Sequence, residues 1–261
     1  MVVGLVLEWE QRKKIFPRVP FVWNAHLRGM VHAFDFGNTA VKYARYHDRH
    51  RVHTERIDDF TVDFFRTFRF DAAHDHLVFC TTRQLAPAVR SCLRRYHARE
   101  ISPADVPLQI AYATPQTLGR DRLAAVAGAR AEFPHRNVLV VDAGTCLTYE
   151  WITAAGVYLG GNISPGLHMR LDAMHHFTAK LPRATATLPD FPIGTSTQTA
   201  LQNGALRGLL YEVHGAIAWT HTHHTDPVVL STGGGGAFLA QHLPDTHHRA
   251  HLVLDGLATL A

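Results

Sequence analysis

The sequence predicts an α/β fold built as two similar lobes facing each other across a central cleft. Three observations carry this. From residue 31 onward, short apolar strands alternate with segments of helical period. One device occurs twice: an apolar strand ending in Asp, a small or aromatic residue, Gly, then Asn or Thr before a second strand. Its copies are Asp35-Phe36-Gly37-Asn38-Thr39 and Asp142-Ala143-Gly144-Thr145-Cys146. They start 107 residues apart (142 minus 35), each at the head of about half of the chain beyond residue 30. A duplicated lobe with paired turns lining the cleft is the natural reading.

Residues 1–29 mix bulky apolar and basic side chains without a period. Arg12, Lys13, Lys14, Arg18 and Arg28 stand there against Glu8 and Glu10. They read as an N-terminal extension, either an appendage ahead of a natural start at Met30 or a segment packed on the surface. The first lobe is assigned to residues 30–136. In it, Val31–Phe36 and Ala40–Tyr46 make a hairpin around Gly37-Asn38. Leu77–Thr81 is a short buried strand. Leu85–Ala98 and the Ala-rich Leu123–Phe133 have helical spacing. The second lobe, residues 137–261, opens on the strongest strand, Val138–Val141, which ends at Asp142. Leu147–Ile152 and Gly156–Leu159 continue as strands, and Gln198–Ala218 as a long helix. Val228–Thr232 is a buried strand running into Gly233–Gly236, and a short helix follows over Ala237–His242.

Composition bounds the function. The chain has 261 residues, 46% of them hydrophobic and 18% charged, which suits a globular protein with a real core. The charge of +4 is mostly the local surplus in residues 1–29, so no nucleic-acid partner is implied. No apolar run reaches the roughly 18 residues of a membrane helix. The first residues lack the basic start and apolar length of a signal peptide. Three scattered cysteines, Cys80, Cys92 and Cys146, form no disulfide framework and point to a reducing cytoplasm.

The chemistry begins at the first turn. Gly37 lets backbone N–H groups approach an anion, and Asn38 and Thr39 can add hydrogen bonds. Asp35, at a strand end, is placed to hold a hydrated cation. Lys42 is one of only four lysines and can point back toward the turn. A single Asp-x-Gly-Asn hairpin is usually only a turn; the second copy makes it a candidate site. In Tyr112–Arg122, Pro115 and Gly119 bracket a loop running into the helix near Leu123, so Asp121 and Arg122 sit near a helix N-terminus. Arg122 can bind a carboxylate bidentately, and Asp121 can accept a proton. The plainer alternative is that Asp121 caps the helix beside a solvated Arg122. Gly160–Gly166 reads as a glycine-rich loop. Thr197 can cap a helix or offer its hydroxyl to a ligand. Gly233–Gly236 can cradle a nucleotide, although it is neither GxGxxG nor a phosphate-binding loop with Gly-Lys-Ser/Thr. The 20 histidines cluster at His221, His223 and His224 and at His247, His248 and His251. They lack the spacing of a zinc site and read as solvated surface. Cys146 reads as a small buried residue.

In order, Asp35-x-Gly-Asn-Thr-x-x-Lys42, Gly119-x-Asp-Arg122, Asp142-Ala-Gly-Thr-x-x-Thr148 and Gly160-Gly-x-Ile-x-Pro-Gly166 resemble the motifs of type III pantothenate kinases. That family belongs to the actin, sugar-kinase and heat-shock chaperone ATPase superfamily. The resemblance covers about residues 30–240. It implies two ribonuclease-H-like lobes with a central cleft for ATP and pantothenate. It implies ATP-dependent phosphorylation of pantothenate to 4'-phosphopantothenate, the first step of coenzyme A biosynthesis. It further implies a cytoplasmic homodimer needing Mg²⁺ and K⁺ or NH₄⁺. By position it makes Asp121 the catalytic base. Asp35, Phe36, Gly37, Asn38, Thr39, Ala40, Val41 and Lys42 become the phosphate-binding turn, and Thr145 contacts ATP. Tyr112, Gly119, Arg120, Asp121, Arg122 and Thr197 become pantothenate contacts, and Asp142 holds the monovalent cation. Thr114 departs from the Asn usual before the Pro, and Gly233–Gly236 lacks the Asp that follows two glycines in the family. Two other readings stand beside this one: a catalytically weak regulatory homologue on the same fold, and a superfamily kinase for another small substrate. The intact Asp35, Asp121 and Asp142 favour the enzyme, and the Gly-x-Asp-Arg loop argues against a sugar or acetate.

Overall fold

Two sheets with the same internal plan organise the protein in a computed structural model that describes residues 29–261. The readings of residues 1–28 lie outside the described residues. The first sheet contains β1 (Met30–Phe36), β2 (Val41–His47), β3 (His50–Ile57), β4 (His76–Thr81) and β5 (Arg99–Glu100), in the order β3-β2-β1-β4-β5. β1, β2 and β3 are antiparallel neighbours, whereas β4 and β5 run parallel to β1. The second sheet contains β6 (Gln109–Ile110), β7 (Val138–Ala143), β8 (Cys146–Ile152), β9 (Val157–Pro165), β10 (Val228–Thr232) and β11 (Thr246–His248), ordered β11-β10-β7-β8-β9-β6. Again three strands, β7, β8 and β9, are antiparallel, and β10 and β11 run parallel to β7. Apart from β6 at its edge, the second sheet repeats the first strand for strand, so the duplicated turn belongs to a duplicated lobe.

The helices are α1 (Pro87–Arg95), α2 (Arg120–Glu132), α3 (Leu167–His176), α4 (Thr197–Gln202), α5 (Gly208–His223), α6 (Gly236–His242) and α7 (Leu252–Thr259). Strand alternation sorts the core around them. On β1, Phe34 and Phe36 join an outer cluster with Tyr43, Phe65 and Phe79. Val31 and Ala33 face the other way, into the central core shared with α2 and α7. Ala33, Ala44 and Cys80 on that face are small and fully buried, which lets the two helices lie close to the sheet. α2 is buried continuously from Arg122 to Arg130, so its Ala-rich sequence shows no polar stripe. α2 and α7 cross at Gly128 and Gly256. A methyl group at Gly256 would stand 1.8 Å from the Ala124 carbonyl oxygen, so only hydrogen fits there.

α7 follows the second sheet in the chain but packs on β1, β2 and β4 of the first. Its Asp255 accepts hydrogen bonds from the Tyr46 hydroxyl at 2.7 Å and Arg51 Nη1 at 2.5 Å. Conversely, β6 comes from the first half of the sequence and pairs with β9. Each sheet therefore takes one element from the other's stretch of chain.

Three expectations need correction. Gly160–Gly166 is not a loop: β9 runs through to Pro165, and Gly166 is the cap residue of α3. A Cβ at Gly161 would lie 1.6 Å from the Tyr149 carbonyl oxygen, so that glycine serves close pairing with β8. Gly160, at φ +105°, sits where the register with β8 shifts. The helix expected over Gln198–Ala218 is instead α4 and α5 joined through a π-turn at Asn203–Arg207. The helix expected from Leu123 starts three residues earlier, at Arg120. Among the described residues, no helix is long and apolar enough to cross a membrane.

Candidate active site

The two Asp-Gly turns occupy equivalent places at the ends of β1 and β7. Asp35 is buried, and its antiparallel partner Lys42 brings Nζ to 3.3 Å from Oδ2. Its parallel neighbour Cys80 donates its thiol to Oδ1 at 3.5 Å. The corresponding neighbours of Asp142 are Thr148 and Thr232. Gly233 adopts φ +79°, and a Cβ there would lie 2.3 Å from Asp142 Oδ1. The glycine run after β10 is thus packed directly against the second turn. The hydroxyls of Thr39 and Thr145 meet at 3.1 Å. Asn38, Thr39, Gly144 and Thr145 are exposed there, whereas the side chains of Phe36, Ala40 and Val41 belong to the core. These three can meet a ligand only through their backbone.

The charges in this region act on one another. Burial pushes the Asp142 carboxyl up to about 7; Lys42 opposes this, and Asp121, Asp35 and Glu150 add to it. Burial also raises Asp121, helped by Asp35, against the backbone N–H of Arg122 that donates to it at 2.9 Å. Burial alone would lower Lys42, but Asp35 and Asp142 together hold it above its ordinary value. Asp35 and Asp142 thus share one lysine, with the Asp121 carboxylate near both.

The loop that leads into α2 holds two surprises. Gly119, two residues before Asp121, is the N-cap of α2, and it makes no side-chain cap bond. Arg122 is not solvated. It is buried, and its Nε and Nη2 donate to Glu150 Oε1 and Oε2 at 2.6 and 2.9 Å. Nη2 also lies 3.2 Å from the Tyr158 hydroxyl, and the guanidinium carbon is 5.8 Å from the centre of the Tyr112 ring. Glu150 escaped the sequence reading; the available signal was a lone carboxylate inside an apolar strand, two residues after Thr148. Arg120 keeps one buried nitrogen, Nη1, without a hydrogen-bond partner.

Thr197 is exposed at the first position of α4, and the cap is Ser196, whose Oγ accepts from the Thr199 N–H at 3.2 Å. The capping role expected of Thr197 therefore falls one residue earlier. No hydrogen bond among the described residues joins Thr197 to either turn. Nor do three or more His, Cys, Asp or Glu side chains converge there on a possible metal ion.

The sequence and fold also match known proteins. The family model for type III pantothenate kinase matches residues 32–219. The type III pantothenate kinase of Flavobacterium johnsoniae is 44% identical over 140 residues, 54% of this chain and 57% of that protein. In that match the chain spans little more than half of its relative's length. A longer match, with the type III pantothenate kinase of Christiangramia forsetii, is 34% identical over 230 residues and covers 85% of this chain and 94% of the other. Among solved structures, a Campylobacter jejuni protein described as a Baf family transcriptional activator shares the fold at TM-score 0.59. It is 21% identical, with 88% of this chain and 96% of that one covered. With the family model spanning most of the sequence and both turns in place, the chain belongs to the type III pantothenate kinase family.

Proposed function

We propose that this chain transfers the γ-phosphoryl group of ATP to the hydroxyl of pantothenate, forming 4'-phosphopantothenate and opening coenzyme A biosynthesis. The observation that supports it most is the junction of the duplicated turns, Thr39 on Thr145, with Asp121 close enough to feel Asp35 and be felt at Asp142. In this reading residues 30–136 and 137–261 supply the bulk of two lobes that hold ATP between them.

Phosphoryl transfer passes through a loose transition state, so positioning and charge neutralisation dominate. The backbone of Asp35–Lys42 receives the phosphates, aided by the Thr39 and Thr145 hydroxyls and by Lys42. Asp121 accepts the proton of the attacking hydroxyl; its raised pKa brings it closer to the optimum for a base near neutral pH. Tyr112, Gly119, Arg120, Arg122 and Thr197 bind pantothenate. The residues also fit cations: Asp142 is walled in by Gly233 and lacks a full counter-charge, which suits K⁺ or NH₄⁺. Asp35 would share a hydrated Mg²⁺ with the phosphates. These ions supply charge neutralisation.

We also read the protein as a cytoplasmic homodimer with a small-molecule substrate rather than a nucleic-acid or membrane partner. Exposed Ile163, Phe177, Phe191, Ile193, Tyr211 and Trp219 on the second lobe support a second copy as the partner. A coupled assay of ATP consumption tests the activity: turnover with pantothenate and none with sugars or acetate is expected. Turnover of another acceptor without pantothenate overturns the substrate assignment.

A further inference from the structure

Glu150 is fully buried on β8, and neither turn accounts for it. Both of its oxygens are spent on one edge of Arg122, Nε and Nη2. Tyr158, on β9, donates its hydroxyl to Glu150 Oε2 at 2.6 Å while standing 3.2 Å from Arg122 Nη2. The three side chains close a ring of hydrogen bonds, and the Tyr112 ring lies 5.8 Å from the guanidinium carbon. A bidentate carboxylate–guanidinium fork fixes direction as well as distance. We propose that Glu150 is a positioning residue for the substrate subsite: it holds Arg122 ready to receive the anionic group of pantothenate before substrate arrives.

The physical need is specific. Asp121 Oδ1 and the Arg122 stem both lie against Gly119, within 2.6 and 3.4 Å of where a Cβ would stand there, so an untethered guanidinium has a carboxylate nearby. Pairing with it would engage the proposed base and withdraw the arginine from substrate. A buried, uncompensated Arg122 would also swing toward water, because an isolated interior charge is costly. Glu150 removes both alternatives by neutralising the charge and taking one edge of the fork. It does so from β8, the strand that continues out of the second turn, so the nucleotide side of the cleft and the substrate loop are tied through one ion pair.

The assignment rests on the proposed function, and steady-state kinetics with both substrates tests it. Glu150→Gln keeps the shape and loses the bidentate charge pair. The KM for pantothenate should rise about tenfold, the size of one charge-assisted hydrogen bond, with the KM for ATP unchanged. In an Arg122→Met background, Glu150→Gln should add nothing, because no guanidinium remains to be held. Tyr158→Phe, which removes one hydroxyl, should raise the pantothenate KM by about threefold. A Glu150→Gln protein with a lower melting temperature but an unchanged pantothenate KM overturns the assignment. So does an effect that multiplies with Arg122→Met. Should Glu150→Gln fail to fold, Tyr158→Phe decides alone: a selective rise supports the assignment, and an unchanged KM overturns it. Absence of any wild-type turnover of pantothenate instead overturns the proposed function, and this assignment with it.

Discussion

Thr39 and Thr145 touch through their hydroxyls at 3.1 Å, although 106 residues separate them in the chain. Each belongs to one copy of the same turn, so the contact is a lobe meeting its duplicate at corresponding points. Both hydroxyls are exposed and can turn from each other to a phosphate oxygen. Thr145→Ala should raise the KM for ATP about fivefold, the value of one neutral hydrogen bond, and leave the KM for pantothenate unchanged. Kinetics with ATP varied at saturating pantothenate measures this.

Asp121→Asn should keep the fold and lose rate. The amide is isosteric but cannot accept the hydroxyl proton, a contribution of about 10²–10⁴-fold; the loose transition state favours the lower half of that range. The base works only when deprotonated, and burial raises its pKa. Wild-type activity should therefore fall with decreasing pH along a limb above the ordinary carboxylate range, and the Asn variant should lack that limb. Profiles of kcat against pH, beside melting curves, check both parts.

A monovalent cation should be required. Asp142 is enclosed, crowded by Asp35, Asp121 and Glu150, and opposed by Lys42. Rates in potassium or ammonium buffers should exceed those in sodium-only buffer, and Asp142→Asn should abolish the difference. Equal rates in all three buffers for the wild-type protein would remove the cation from Asp142.

His32 should make stability depend on pH. It is buried, 2.8 Å from the Tyr43 hydroxyl and 3.3 Å from Asp75 Oδ2, and burial lowers its pKa despite Asp75. The folded state keeps the ring neutral, while the unfolded chain takes up a proton below about 6.5. His32 thus contributes stability above that pH and loses it as the pH falls toward the folded value. Urea midpoints between about pH 7.5 and 5 should fall more steeply for wild type than for His32→Gln.

Gly256→Ala should destabilise by about 1–3 kcal/mol through overpacking where α7 crosses α2. The added methyl meets the Ala124 carbonyl oxygen, so backbone must move. Because α2 begins at Arg120, the shift should also lower activity. Guanidinium denaturation and kcat on the same sample report the two effects.

Much of the fold is legible because strands such as Val138–Val141 are buried on both faces and read as continuous apolar runs. The repeated Asp-Gly turn further announces the duplication. β3 is not legible, since nearly all its residues are exposed and no alternation marks it. The strand role of Gly160–Gly166 is hidden because glycines needed for close strand pairing look the same in sequence as glycines of a loop. At the site, Asp35, Lys42 and Asp142 are readable from local spacing. The ion pair of Arg122 with Glu150 is not, because it joins side chains 28 residues apart whose strand and helix meet only in the folded protein.

One of the two helices that cover the first sheet is made late. Tyr46 waits 209 residues for its partner Asp255, and the face of β1, β2 and β4 that meets α2 is completed by residues 252–259. During synthesis the first sheet therefore leaves the ribosome with part of that face uncovered until residues 252–259 follow the second sheet. A nascent chain stalled before residue 252 should be readily cleaved by protease within the first lobe and should bind chaperones. Emergence of residues 252–259 should convert both halves to the protected state in a single step.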